Sequence, residues 1–181
     1  VILDITASKE NRHPNTELIE WASSECFVPL TVGGGIKTSQ DIRDLLNSGA
    51  DKVCINSAAR NDIALVEEAS NIFGAQCITV SVDVIFKDGE YKIYTYENND
   101  ILDISLISYI KGLEQKGAGE IFLNSVNRDG SKEGYDIKLI KSVTDNVNIP
   151  VIACGGVGKN SHFSEAIIYA NCSAVSASNI K

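Results

Sequence analysis

The sequence predicts an α/β protein of the (β/α)8-barrel type, and three observations carry that expectation. Apolar, strand-like runs alternate with helix-patterned stretches along the whole chain. The strand runs are apolar nearly throughout rather than in alternation, which is the pattern of parallel strands covered on both faces. The chain also repeats itself: PLTVGGGI (29–36) and ADKVCINS (50–57) are answered by PVIACGGV (150–157) and CSAVSASN (172–179). An open doubly wound sheet accommodates the alternation equally well. The internal half-barrel duplication, with chemistry-bearing residues at the C-terminal end of nearly every strand, favours the barrel.

The elements follow in order. Val1–Thr6 is an apolar β-rich run, and Asn15–Glu25 carries Leu18, Ile19 and Ala22 at helical spacing. Phe27–Val32 reads as a strand ending in three glycines, followed by a helix over Ser39–Asn47, capped by Ser39 and closed by Gly49. Lys52–Asn56 is a strand, and Asn61 is expected to cap a helix running through Phe73 to Gly74. Ile78–Phe86 continues into a hairpin, with Lys87-Asp-Gly89 at the turn and Glu90–Tyr96 returning. Residues 97–103 are polar and read as a mobile loop at the active face. A helix over Asp103–Lys116, a strand over Glu120–Val126 and a helix over Asp136–Val143 come next. The strand Pro150–Cys154, the helix Ser161–Tyr169 and the strand Ala174–Ser178 complete the series. Leaving the hairpin's return aside, this gives seven strands in a single domain over residues 1–181. An eight-strand barrel would then lack one strand–helix unit before Val1 and one helix after Lys181, so the chain is expected to be a fragment.

Composition narrows the function. The 181 residues carry a net charge of −8 with no basic stripe, so nucleic acid is not the expected partner. No apolar run approaches ~18 residues, so no membrane span is expected. The five cysteines (26, 54, 77, 154 and 172) are scattered and never form a CxxC pair. They read as buried free thiols of a reducing cytoplasm rather than metal ligands. His13 and His162 are isolated and read as surface or structural histidines. No metal and no cofactor is expected.

The glycine runs are the strongest chemical signal. Strand ends with bare backbone N–H groups beside small amide or hydroxyl side chains are what a phosphate needs. Gly34 and Gly35 pair in this way with Asn56 and Ser57, and Gly155 and Gly156 with Ser178 and Asn179. Two such copies point to a ligand with a phosphate at each end. Asn124 stands at another strand end, and Asp129-Gly130 offers either a carboxylate to a hydroxyl or amides to a phosphate. Asp83 stands out because it ends the apolar run Ile78-Thr-Val-Ser-Val-Asp. Desolvation there is expected to raise its pKa toward a value useful for acid–base work. Asp4 holds the matching place on its own strand, or else holds the loop that follows it.

These residues, in this order, resemble the cyclase (synthase) subunit of imidazole glycerol phosphate synthase. The matching blocks are LDITAS, VGGGI, GADKVCINSAA, FGAQ, VSVD, GAGEI, SVNRDGSKEGYD, IPVIACGGVGK and SAVSAS, spanning essentially the whole chain. The resemblance implies a lyase that takes ammonia from a glutaminase partner. It adds that ammonia to a phosphoribulosyl-formimino aminoimidazole carboxamide ribonucleotide, a bis-phosphate, and releases imidazole glycerol phosphate and an aminoimidazole carboxamide ribonucleotide. By position it places Asp83 on a catalytic aspartate and Gly35, Asn56 and Ser57 on one phosphate site. Asp129, Gly130, Gly155, Gly156, Ser178 and Asn179 fall on the other. Asp51, Lys52 and Glu120, at strand beginnings, fall where the family docks its glutaminase and gates ammonia. Asn127 stands where the histidine enzymes carry Asp. KENRHPN, SSECFVPL, FLNSVNRDG and VNIPVIACGG lie closer to a paralogous branch that delivers ammonia for acetamidino sugars of surface polysaccharides. A non-catalytic glutaminase partner is the third reading.

An isolated 1–181 chain, with strand edges unpaired, is expected to aggregate and to lack activity with ammonia. Size-exclusion chromatography and thermal melting check this; a monodisperse, cooperatively melting and active sample would overturn it.

Overall fold

In the computed structural model, residues 1–8, 10 and 12–178 are described. The fold is α/β, of the incomplete (β/α)8 type, with seven strands of the parallel series among the described residues. The chain divides into two compact units, 1–80 with 116–119 and 81–115 with 120–181.

The first unit contains β1 (Ile2–Leu3), α1 (Thr16–Glu25), β2 (Thr31–Gly33), α2 (Ser39–Asn47), β3 (Lys52–Ile55), α3 (Ser57–Asn61) and α4 (Ala64–Phe73). A single 3-10 turn, Ala75–Cys77, then leads into β4 (Ile78–Lys87). Strands β1, β2, β3 and the beginning of β4 are parallel neighbours, in register Leu3↔Gly33↔Cys54↔Thr79. Val32, Ile42, Leu45, Val53, Val66 and Ile78 fill the space between sheet and helices, each at most 3% exposed. Full burial of side chains of this size stabilises by roughly 1.5–3 kcal/mol each.

Several boundaries differ from the sequence expectation, each for a local reason. Strand β2 starts at Thr31 rather than Phe27, because Pro29 has no N–H to give a ladder and Phe27 and Val28 face solvent. The cap of α2 is Thr38, not Ser39: Thr38 and Asp41 form a reciprocal capping box. The helix expected to be capped by Asn61 starts instead at Ala64, as α4, and Asn61 ends a short preceding helix, α3, that the sequence did not announce. Asp62 takes an extended conformation there, and its Oδ1 accepts the Ala64 N–H at 2.9 Å. Asx side chains compete for backbone donors in this way.

The second unit contains the rest of β4, β5 (Glu90–Thr95), β6 (Asp100–Leu102), α5 (Leu106–Gln115) and β7 (Glu120–Ser125). It continues with α6 (Ile137–Thr144), β8 (Val151–Cys154), α7 (Ser161–Ala170) and β9 (Ala174–Val175). Strand β7 lies between β4 and β8, and β7, β8 and β9 are parallel. As the sequence predicts, strand β4 runs past Asp83, to Lys87, and folds back as an antiparallel hairpin with β5, which β6 extends into a ribbon, β4–β5–β6. The stretch expected to be irregular therefore includes β6, paired to β5 through Ile93↔Leu102 and Thr95↔Asp100. The Tyr91 hydroxyl donates to Asp136 Oδ1 at 2.8 Å, fastening the ribbon to the cap of α6.

Asp41 joins several of the first unit's segments. It is 5% exposed and accepts from the N–H groups of Lys37 and Thr38 and from the Thr38 hydroxyl, while His13 Nδ1 sits 2.7 Å from its other oxygen. Burial opposes its ionisation, but the hydrogen bonds from His13, Lys37 and Thr38 outweigh this and hold the carboxyl below its usual range. Its stabilisation is thus fully present above the unfolded carboxylate's pKa and fades as pH falls through the lower folded value. Asp41→Ala in the full-length protein is expected to cost about 1 kcal/mol or more at pH 7 through the lost capping box. Urea unfolding at a series of pH values should show the gap from wild type closing below about pH 4; a gap constant with pH would refute the assignment.

Candidate functional site

Each unit carries a glycine turn where a strand hands over to a helix. In the first, Gly34 and Gly35 have φ +108° and +73°; in the second, Gly155 and Gly156 have φ +89° and +101°. A Cβ on Gly34 would strike the carbonyl oxygen of Asp4, and one on Gly155 would lie 2.7 Å from that of Ser125. On Gly35 the clash would be with Arg12 O, on Gly156 with Gly134 O. Both turns thus bring backbone against backbone with no room for a side chain.

Around the first turn, Asp4 is a loop holder. Its Oδ1 accepts the N–H groups of Thr6 and Ala7 at 3.1 Å each, and Arg12 Nη2 reaches Oδ2 at 3.1 Å. Partial burial works against the charge, but these bonds prevail and keep the carboxyl below its ordinary range. Asn56 follows β3, with Arg60 Nη1 donating to its Oδ1 at 3.2 Å, and Ser57 opens α3. At the beginning of β3, Asp51 is exposed and accepts the Leu30 N–H at 2.7 Å, and Lys52 is half-buried.

In the second unit, Asp83 and Asn124 come together. Asp83 is 7% exposed, and Asn124 Nδ2 donates to its Oδ1 at 2.8 Å. Asn124 is level with Cys154 on β8, and its Oδ1 faces Gly155. Asp129 and Gly130 lie exposed in the loop after β7, which turns on the Asp129 N–H donating to Ser125 O at 3.0 Å. Glu120 is half-buried at the start of β7, and Ser178 is exposed after β9. Asn179 lies outside the described residues. Asn127 ties the ribbon by accepting the Phe86 N–H at 2.6 Å and directing Nδ2 at Phe86 O, 3.5 Å away. An Asp could supply only the first of these.

Residues the sequence did not single out gather here as well. The Tyr96 hydroxyl is pushed up to about 12 by burial, then by the Asp83 and Asp129 carboxylates. The Cys154 thiol is pushed up to about 11 by burial and by Asp129, and Tyr135 donates to Ser176 O at 2.9 Å. The hairpin predicted from the sequence returns through Tyr96, but no motif marks that residue as part of the site. Two buried polar atoms, Thr95 Oγ1 and Asn124 Oδ1, have no hydrogen-bond partner among the described residues. Among those residues no three His, Cys, Asp or Glu side chains gather as a metal site, and no helix is long and apolar enough to cross a membrane.

Comparison with known proteins points one way. The family model described as "Histidine biosynthesis protein" matches residues 1–180. A Vibrio vulnificus (strain YJ016) protein provisionally named imidazole glycerol phosphate synthase subunit hisF2 is 53% identical over 180 residues, covering 99% of this chain and 66% of its own length. Subunit HisF of imidazole glycerol phosphate synthase from Endomicrobium trichonymphae is 46% identical over 98% of this chain and 69% of its own. The HisF subunit of Exiguobacterium sp. (strain ATCC BAA-1283 / AT1b) is 44% identical over 92% and 66%. The chain thus spans about two thirds of the length of these relatives.

The glycine geometry yields a stability test. Gly155→Ala and Gly130→Ala both force an L-residue to positive φ, but only Gly155 has backbone in the way. In the full-length protein Gly155→Ala is expected to cost about 1–3 kcal/mol more than Gly130→Ala by urea unfolding. Equal losses would mean that the close approach does not constrain the turn.

Proposed function

Since the chain belongs to the histidine biosynthesis protein family, within the cyclase subunits of imidazole glycerol phosphate synthase, we propose that the parent protein is such a cyclase. It uses ammonia to convert the bis-phosphate phosphoribulosyl-formimino aminoimidazole carboxamide ribonucleotide into imidazole glycerol phosphate and an aminoimidazole carboxamide ribonucleotide. The observation that carries the reading is the doubled glycine turn together with a buried carboxylate, Asp83, held by Asn124. Gly34, Gly35, Asn56 and Ser57 take one phosphate, and Gly155, Gly156, Asp129, Gly130, Ser178 and Asn179 the other. Backbone amides suit this task in a chain of net charge −8, since they attract an anion without adding a mobile side chain. With both ends fixed, the reacting centre is held against Asp83, which carries protons during amination and ring closure.

The ammonia comes from a glutaminase subunit, docked where β3 and β7 begin, with Asp51, Lys52 and Glu120 at the gate. The relatives are themselves named as subunits, which supports a partner. A second reading rests on Asn127. Its two-way contact with Phe86 fixes the ribbon in a way that the Asp of the histidine enzymes cannot. The resemblance, in which Asn127 stands where the histidine enzymes carry Asp, is what supports the paralogous branch that supplies ammonia for acetamidino sugars.

The deciding experiment uses the full-length protein with saturating ammonium in place of the glutaminase, following loss of the bis-phosphate ribonucleotide by absorbance. Turnover is expected, with kcat falling by about 10²-fold or more in Asp83→Asn. A folded protein that binds a glutaminase yet shows no turnover would favour the sugar branch. Undiminished turnover in Asp83→Asn would remove Asp83 from the chemistry.

A further inference from the structure

The two glycine turns can be superposed residue by residue in sequence, and the strand registers fix the alignment. Leu3 pairs with Gly33 as Asn124 pairs with Cys154, and the helix caps Asn15 and Asp136 stand equally far after Leu3 and Asn124. Gly34 then matches Gly155, Gly35 matches Gly156, Lys37 matches Gly158, Asp41 matches His162 and His13 matches Gly134.

At the matched positions one joint is built in two ways. In the first unit Asp41 Oδ2 accepts the Lys37 N–H at 3.0 Å, and the imidazole of His13, reaching in from the preceding loop, binds the other oxygen. In the second unit His162 Nδ1 accepts the Gly158 N–H at 3.2 Å, and the position of His13 is taken by Gly134. The His162 ring packs there instead: a Cβ on Gly134 would lie 3.6 Å from it. Gly134 in turn donates its N–H to Gly156 O at 2.7 Å. The imidazole occupies both joints but is attached to opposite partners. Asp41 and His162 are alike only 5% exposed. Accepting from Gly158 uses the lone pair of Nδ1.

We propose that His162 is a positioning residue of the second glycine turn, holding Gly158 through Nδ1 and seating the Gly134 loop with its ring. The turn's amides are thereby aimed at a phosphate ester. The ligand class rests on the cyclase reading above; the joint itself does not. His162 lies outside the family's matched blocks, whereas Gly134 and Gly158 lie within them, and by sequence alone it reads as a surface or structural histidine.

The test uses the full-length protein with His162→Leu, His162→Asn and His162→Asp. KM and kcat for the bis-phosphate ribonucleotide are measured at saturating ammonium, and affinity for inorganic phosphate by calorimetry. His162→Leu is expected to raise KM and weaken phosphate binding by about tenfold while kcat stays within about threefold. Asn, whose Oδ1 takes the place of Nδ1, is expected to restore most of the loss. Asp is expected to hold the loop but bind phosphate more weakly than Asn, because its charge opposes the anion. The proposal is overturned if Leu leaves both affinities within twofold, if Asn is no better than Leu, or if the wild type binds no phosphate. Should Leu fail to fold, equal phosphate affinity in Asn and Asp overturns it. A wild type that binds phosphate without turnover counts against the cyclase reading alone, and the phosphate affinities then decide the proposal.

Discussion

At Gly34 and Gly155 a strand end passes so near the carbonyl of the neighbouring strand that a β-carbon has no place to go, and much of the architecture follows from that approach. Close backbone contact at positive φ turns each strand sharply into its helix. Backbone amides in a concave turn are an anion's natural partners. The loops that precede the turns are drawn in by the same contact. Arg12 O lies against Gly35 and Gly134 O against Gly156, so the loop after β1 and the loop after β7 are both shaped by glycines that follow them by some twenty residues.

Charge is managed around these turns rather than within them. Asp4 and Asp41 are kept ionised by hydrogen bonds and spent on loop and helix ends. Asp83 and Asp129 act on the Tyr96 and Cys154 protons from nearby, so the neutral groups around them stay neutral. Under the proposed function, phosphate attraction is left to backbone dipoles and the buried carboxylate is reserved for another task.

The duplication is closer in geometry than in residue type. N-caps at Asn15 and Asp136 both accept the N–H three residues on, from Leu18 and Leu139. Equivalent joints fasten each glycine turn, yet Asp41 with His13 serves one and His162 with Gly134 the other. What the two copies retain is the placing of an acceptor under the turn. The side chain that supplies it differs between them, since a carboxylate oxygen and an imidazole nitrogen satisfy the same N–H.

The sequence by itself determined the alternation of strands and helices, the parallel series and the two glycine turns, because each is written in local chemistry: runs of apolar residues, caps and glycines. It also marked Asp83, a lone carboxylate in an apolar run. Tertiary structure decided the rest. The split at Asp62 depends on a side chain choosing Ala64's N–H over a continued helix, and β6 exists only because β5 is there to pair with it. Tyr96 enters the site through the ribbon's fold, and His162 becomes an acceptor only because Gly134, remote in sequence, leaves its ring a place. Local pattern encodes elements; contacts between distant residues have no period or spacing to betray them, and they exist only once the chain has closed on itself.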